Sequence, residues 1–150
     1  MTDYAMLSEQ LKSLAEDEHG ILPVLANASA LLYWNLEDLN WAGFYLMDNG
    51  SLLLGPFQGK VACIRIPLGK GVCGTAAEKD ETLVVGNVHE FPGHIACDSA
   101  SNSEIVVPIH KDGRVIGVLD IDSPSIGRFT EEDRLGLEKF VEVLEQVTDL

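Results

Sequence analysis

The chain has 150 residues, about one domain's worth, with 24 acidic side chains against 10 basic ones and a formal charge of −14. That excess repels phosphate-rich surfaces and argues against nucleic acid or an anionic membrane as partner. A 46% hydrophobic content excludes disorder as the default, and no apolar run reaches the roughly 18 residues that cross a bilayer.

Residues from Met1 to about Glu18 read as an amphipathic helix with Tyr4, Leu7, Leu11 and Leu14 on one stripe, stopped by His19-Gly20. Ile21 to about Leu36 is a second helix, with Pro23 tolerated in its first turn. Trp41–Met47 and Leu52–Leu54 flank Asp48-Asn49-Gly50, a strong hairpin signal. Cys63–Leu68 is a third strand. Gly69–Gly74 is a glycine-rich turn into a short helix from Thr75 to about Lys79, and Thr82–Val85 is a fourth strand. Gly86–Asn102 has no periodicity, and a stretch that long in a small domain is usually functional. Ile105–His110 and Arg114–Ile121 form a second hairpin around Lys-Asp-Gly. A capping-box-like Thr130-Glu-Glu-Asp133 opens a final helix that runs almost to Leu150. The order predicts a single α+β domain over residues 1–150, with an antiparallel sheet of about six strands packed against N- and C-terminal helices.

The start, MTDYAMLSEQ, has neither the basic nor the apolar region of a signal peptide, so the expected compartment is the cytoplasm. The three cysteines, Cys63, Cys73 and Cys97, are unsuited there to a structural disulfide framework. Their spacing, C-x9-C-x23-C, contains no tight metal knuckle, so no metal is expected. A buried free cysteine is commonly an inert small hydrophobe. These three, however, fall at element ends and in a long loop, which points to a thiolate nucleophile with resolving partners. Near Cys97, His94 would favour the thiolate and Asp98 would oppose it.

Asp120 and Asp122 differ by two, so in a strand both point to one face, and Glu104 starts a neighbouring strand. Paired aspartates are commonly a solvated face. These end an apolar run, and carboxyls crowded in a desolvated pocket hold an ammonium group or keep a proton for general acid work. Trp41–Tyr45 alternates aromatic and small residues, as a core-facing strand or as an aromatic wall around a small ligand. Gly69–Gly74 lacks the order of a phosphate-binding loop, which excludes nucleotide hydrolysis.

Gly55-Pro-Phe-Gln-Gly-Lys-Val-Ala-Cys63, Gly69-Lys-Gly-Val-Cys-Gly74, Phe91-Pro-Gly-His-Ile-Ala-Cys-Asp98, Ser103-Glu-Ile-Val-Val-Pro108 and Gly117-Val-Leu-Asp-Ile-Asp-Ser-Pro124 together resemble the free methionine-(R)-sulfoxide reductases, single-domain enzymes of the GAF fold. The block with Cys97 and all three cysteines is specific; the Gly117–Pro124 segment is shared more widely among GAF domains. Gly86-Asn87 departs from the acidic residue expected ahead of Val88-His89. The resemblance implies Cys97 as nucleophile, Cys63 as main resolving thiol and Cys73 as a second partner. Trp41 and Tyr45 would wall the methionine side chain, while Glu104, Asp120 and Asp122 would bind the substrate and help protonate its oxygen.

The implied chemistry needs no cofactor. Thiolate attack on a sulfoxide whose oxygen is being protonated releases methionine and leaves a sulfenic acid at Cys97. A second thiol condenses with it, and a thioredoxin-like dithiol reopens the disulfide. The apolar faces of the N-terminal helices offer a surface for a homodimer. The competing readings are a GAF-type sensor that binds a small molecule without turnover and a thiol-based redox sensor.

Overall fold

The computed structural model describes residues 2–94 and 100–150, so Cys97 lies outside the described residues. Helix α1 (Tyr4–Leu14) is capped by Asp3, whose carboxylate accepts from the Met6 amide at 3.0 Å. It ends short of Glu18. Tyr4, Leu7 and Leu11 are buried, but Leu14 is 52% exposed; Ala15 takes the inward position in its place. Helix α2 (Ile21–Asn35) buries Val24, Leu25, Ala28 and Leu32.

Strands β1 (Trp41–Asp48) and β2 (Ser51–Gly59) join through Asn49 and Gly50, both at positive φ, as the tight hairpin turn requires. β2 runs further than Leu52–Leu54 suggests. Its Pro56 is tolerated because β3 (Arg65–Pro67) pairs only with Ser51–Leu53, and the β1–β2 register shifts between Gly43 and Tyr45. Cys63 therefore lies in the loop before β3 rather than in a strand.

Helix α3 (Gly71–Lys79) begins four residues ahead of Thr75, which places Cys73 in its first turn and not in a glycine turn. β4 (Leu83–Val85) and a short 3-10 turn, Val88–Glu90, follow. β5 (Ser103–Lys111) and β6 (Arg114–Ser123) form the second hairpin. Thr130 caps α4 (Glu131–Val147) in a capping box: its hydroxyl accepts from the Asp133 amide, and the Asp133 carboxylate accepts from the Thr130 amide at 2.8 Å.

The six strands form one antiparallel sheet in the order β3-β2-β1-β6-β5-β4. Because side chains alternate along a strand, each central strand feeds two cores. Ala42, Phe44, Ile105, Val107, Ile109, Leu119 and Ile121 pack under α1, α2 and α4. Trp41, Tyr45, Val106 and Val118 face the other way, onto Cys73, Ala76 and Ala77 of α3. The same parity puts Glu104, Asp120 and Asp122 on the α3 face, where Glu104 and Asp120 are buried and Asp122 is half-buried.

Candidate active site

Strand register brings the acidic residues together. Asp122 on β6 lies opposite Trp41 of β1 and Glu104 of β5; two residues back along β6, Asp120 lies opposite Gly43 and Val106. Three carboxyls thus span two adjacent strands at the end where α3 begins. With Trp41, Tyr45, Cys73, Lys70 and His94 they line a small cavity of about 50 Å³.

Glu104 and Asp120 are 8% and 6% exposed, whereas Asp122 is half-buried. Burial pushes the Glu104 carboxyl well above the usual range, and the neighbouring Asp120 and Asp122 charges push it further. Burial also raises Asp120, but Glu104 and Cys73 close by pull it part of the way back toward the carboxylate. One proton is therefore held mainly on Glu104, leaving Asp120 the better anion. Asp120 Oδ1 is buried and makes no hydrogen bond among the described residues.

The Cys73 sulfur lies 3.9 Å from Glu104 Oε2. Burial, then the Asp120 and Glu104 charges, raise this thiol well above its ordinary range. It stays protonated, the opposite of an activated nucleophile. The Tyr45 phenol is also raised, by burial first and then by Asp120, and acts as a neutral donor.

The aromatic wall does two jobs. Trp41 stacks on Tyr45 with ring centroids 6.0 Å apart and on Phe57 at 5.1 Å. Its indole Nε1 donates to the Lys60 carbonyl at 3.1 Å, and the Tyr45 hydroxyl donates to the Cys63 carbonyl at 2.8 Å. The Leu54 amide donates to the Ile64 carbonyl at 2.8 Å. Three hydrogen bonds thus fix the loop that carries Cys63 along the cavity rim. Cys63 is disulfide-bonded, while Cys73 is a free thiol.

Gly43 is required by this packing. A Cβ there would collide with Phe57 Cβ and sit 2.9 Å from the Pro56 carbonyl oxygen, at the bulge that brings β2 against the Trp41 stack.

Trp41, Tyr45, Cys73, Glu104, Asp120 and Asp122 all line the one cavity, with Cys63 on the adjoining loop; Cys97 falls outside the described residues. Sequence reasoning misses Lys70, Ser101 and the apolar lining of Ala62, Ile66 and Val72. Lys70 stands in the glycine-rich segment, where the sequence raises it only as a phosphate-binding candidate. His94 has burial and His89 holding its imidazole below the usual range, so it is neutral rather than a source of charge for a thiolate. Both of its ring nitrogens are buried and unpartnered among the described residues. Those residues form no helix long and apolar enough to cross a membrane.

The GAF domain family matches residues 3–149. The chain is 56% identical over 144 residues to the free methionine-R-sulfoxide reductase of Escherichia coli, an alignment covering 96% of this chain and 87% of that one. Its structure superposes on the reduced form of the Staphylococcus aureus fRMsr with a TM-score of 0.95 and 54% identity, over 98% of this chain and 96% of that one. A free methionine-R-sulfoxide reductase from Neisseria meningitidis in complex with its substrate gives 0.92 and 47%, over 96% and 87%. At this likeness over nearly the whole length, the chain belongs to the GAF-domain family and, within it, to the free methionine-R-sulfoxide reductases.

Proposed function

We propose that this enzyme reduces free L-methionine-(R)-sulfoxide to methionine in the cavity under α3, with Cys97 as the attacking thiolate. The observation that carries the reading is the gathering of Glu104, Asp120 and Asp122, the first two of them buried, with the Trp41–Tyr45 aromatic wall around one small cavity. A sulfoxide sulfur yields to a thiolate only as its oxygen takes a proton, and Glu104 is the group held ready to give one. Asp120 and Asp122 meet the substrate ammonium; Trp41 and Tyr45 flank its methyl-bearing end. Lys70 and the Val72 and Cys73 amides in the first turn of α3 are the positive elements for its carboxylate, since no side chain caps that helix and the Gly71 amide is taken by the Gly93 carbonyl.

Attack by Cys97 breaks the sulfur–oxygen bond, oxidises the cysteine to a sulfenic acid and releases methionine. Cys63 then condenses with it, expelling water and forming a disulfide. Two features favour Cys63 over Cys73 as the resolving thiol: Cys63 is disulfide-bonded and partly exposed on a fixed loop, whereas Cys73 is buried and strongly protonated. Cys73 is the second partner, reached only if Cys63 is removed. A thioredoxin-like dithiol in the cytoplasm reopens the disulfide. Recognition of both the ammonium and the carboxylate of the substrate restricts the site to the free amino acid and excludes protein-bound methionine sulfoxide, in which both groups are tied up in peptide bonds.

The test is to incubate the protein with dithiothreitol and free L-methionine-(R)-sulfoxide and to measure methionine. Production that vanishes in Cys97→Ser supports the reading. No methionine from protein with all thiols reduced returns the chain to a non-catalytic sensor.

A further inference from the structure

We propose that the Cys73 thiol, Glu104 and Asp120 form a binding site for a thiophilic divalent cation of the zinc class, placed where substrate binding would be blocked. The inference rests on the cavity geometry, and only its competition arm depends on the functional reading above. One donor atom from each residue lies within 4.8 Å of the others. A central point is then less than about 3 Å from all three, so shifts of under about 1 Å reach zinc bond lengths of about 2.0–2.3 Å.

A second observation points to a ligand. Asp120 Oδ1 is buried without a hydrogen bond among the described residues, on a side chain that lines the cavity and belongs to a residue only 6% exposed. A buried carboxylate oxygen with no partner is costly unless a cation or donor occupies the space before it. One sulfur and two carboxylate oxygens, with the open cavity supplying a water or an exogenous ligand, fit a three-protein-ligand zinc site. The donor set is wrong for calcium, which needs about 6–8 oxygens, and for magnesium, which shuns sulfur. Cys73 is held in α3, Glu104 in β5 and Asp120 in β6, so every ligand comes from a regular element. A cation there neutralises the carboxyls that would otherwise meet an ammonium group.

Protein in which the Cys63 disulfide is formed isolates the question, because Cys73 is then the thiol available at the cavity. Cobalt(II) serves as the spectroscopic probe. The expected result is a thiolate-to-cobalt charge-transfer band that zinc displaces stoichiometrically, that is lost in Cys73→Ser, and that free methionine suppresses in proportion to its concentration. Asp120→Asn, which keeps the thiol, should weaken zinc binding by about tenfold or more while leaving the thermal transition cooperative. Three results overturn the metal site: no band in the oxidised protein, a band that survives Cys73→Ser, or binding seen only after the disulfide is reduced. A band that methionine fails to suppress overturns the claim that the cation blocks the substrate.

Discussion

Replacing Glu104 by Gln separates stability from chemistry. Gln has the shape of a protonated Glu and keeps a donor toward Asp120, so packing around this 8%-exposed side chain is nearly unchanged. In the wild type the folded state holds the Glu104 proton well above the ordinary carboxylate range of about 4.3, because burial and two neighbouring carboxylates oppose ionisation. A carboxyl with a raised folded pKa is most favourable to folding below its unfolded pKa, and that contribution is lost as pH rises toward the folded value. Each tenfold difference in proton affinity between the states is worth about 1.4 kcal/mol. Urea unfolding should therefore show wild type and Glu104→Gln close together near pH 4. By pH 8 the variant should have gained stability relative to wild type, by an amount that grows with the factor by which folding tightens the Glu104 proton. Its kcat with dithiothreitol as reductant should fall about 10²–10⁴-fold, the usual worth of a general acid. A stability difference that does not vary with pH, or an unchanged kcat, refutes the assignment of the proton to Glu104.

The other predictions concern the thiols and the aromatic wall. Cys63→Ser should still release about one methionine per reduced protein, since attack by Cys97 needs no second thiol, but should lose most thioredoxin-supported turnover. Full thioredoxin-linked activity in that variant would hand the resolving role to Cys73. Gly43→Ala should lower the unfolding free energy by about 1–3 kcal/mol, because its Cβ collides with Phe57. The displaced Trp41 stack should raise KM more than it lowers kcat. An unaltered KM with a normal melting temperature would mean the bulge relaxes at no cost.

Most of the fold is legible in the sequence because its signals are local. The Asn49-Gly50 turn, the Thr130–Asp133 box and the period-two apolar runs each name an element within a few residues. Leu14 misleads because a helical stripe cannot say where the helix ends, and Ala15 fills the inward position instead. The start of α3 reads too late because glycines signal a turn, although Gly71 and Gly74 lie in the helix; at Gly74 an added Cβ would meet the Pro67 carbonyl oxygen. For the site, strand parity alone puts Asp120 and Asp122 on one face. Their burial cannot be read that way. It depends on α3 covering that face and on a strand order that sets β1 beside β6, two strands distant in sequence.

A single-turnover experiment separates attack by Cys97 from every later thiol exchange. Fully reduced protein is mixed with an equal amount of free L-methionine-(R)-sulfoxide, and the products are read by methionine assay and by peptide mapping of the cysteines. About one methionine per chain is expected, with a disulfide joining Cys97 to Cys63 and Cys73 still a free thiol. Methionine formed with Cys97 unmodified, or a disulfide that contains Cys73 while Cys63 stays reduced, would contradict that assignment.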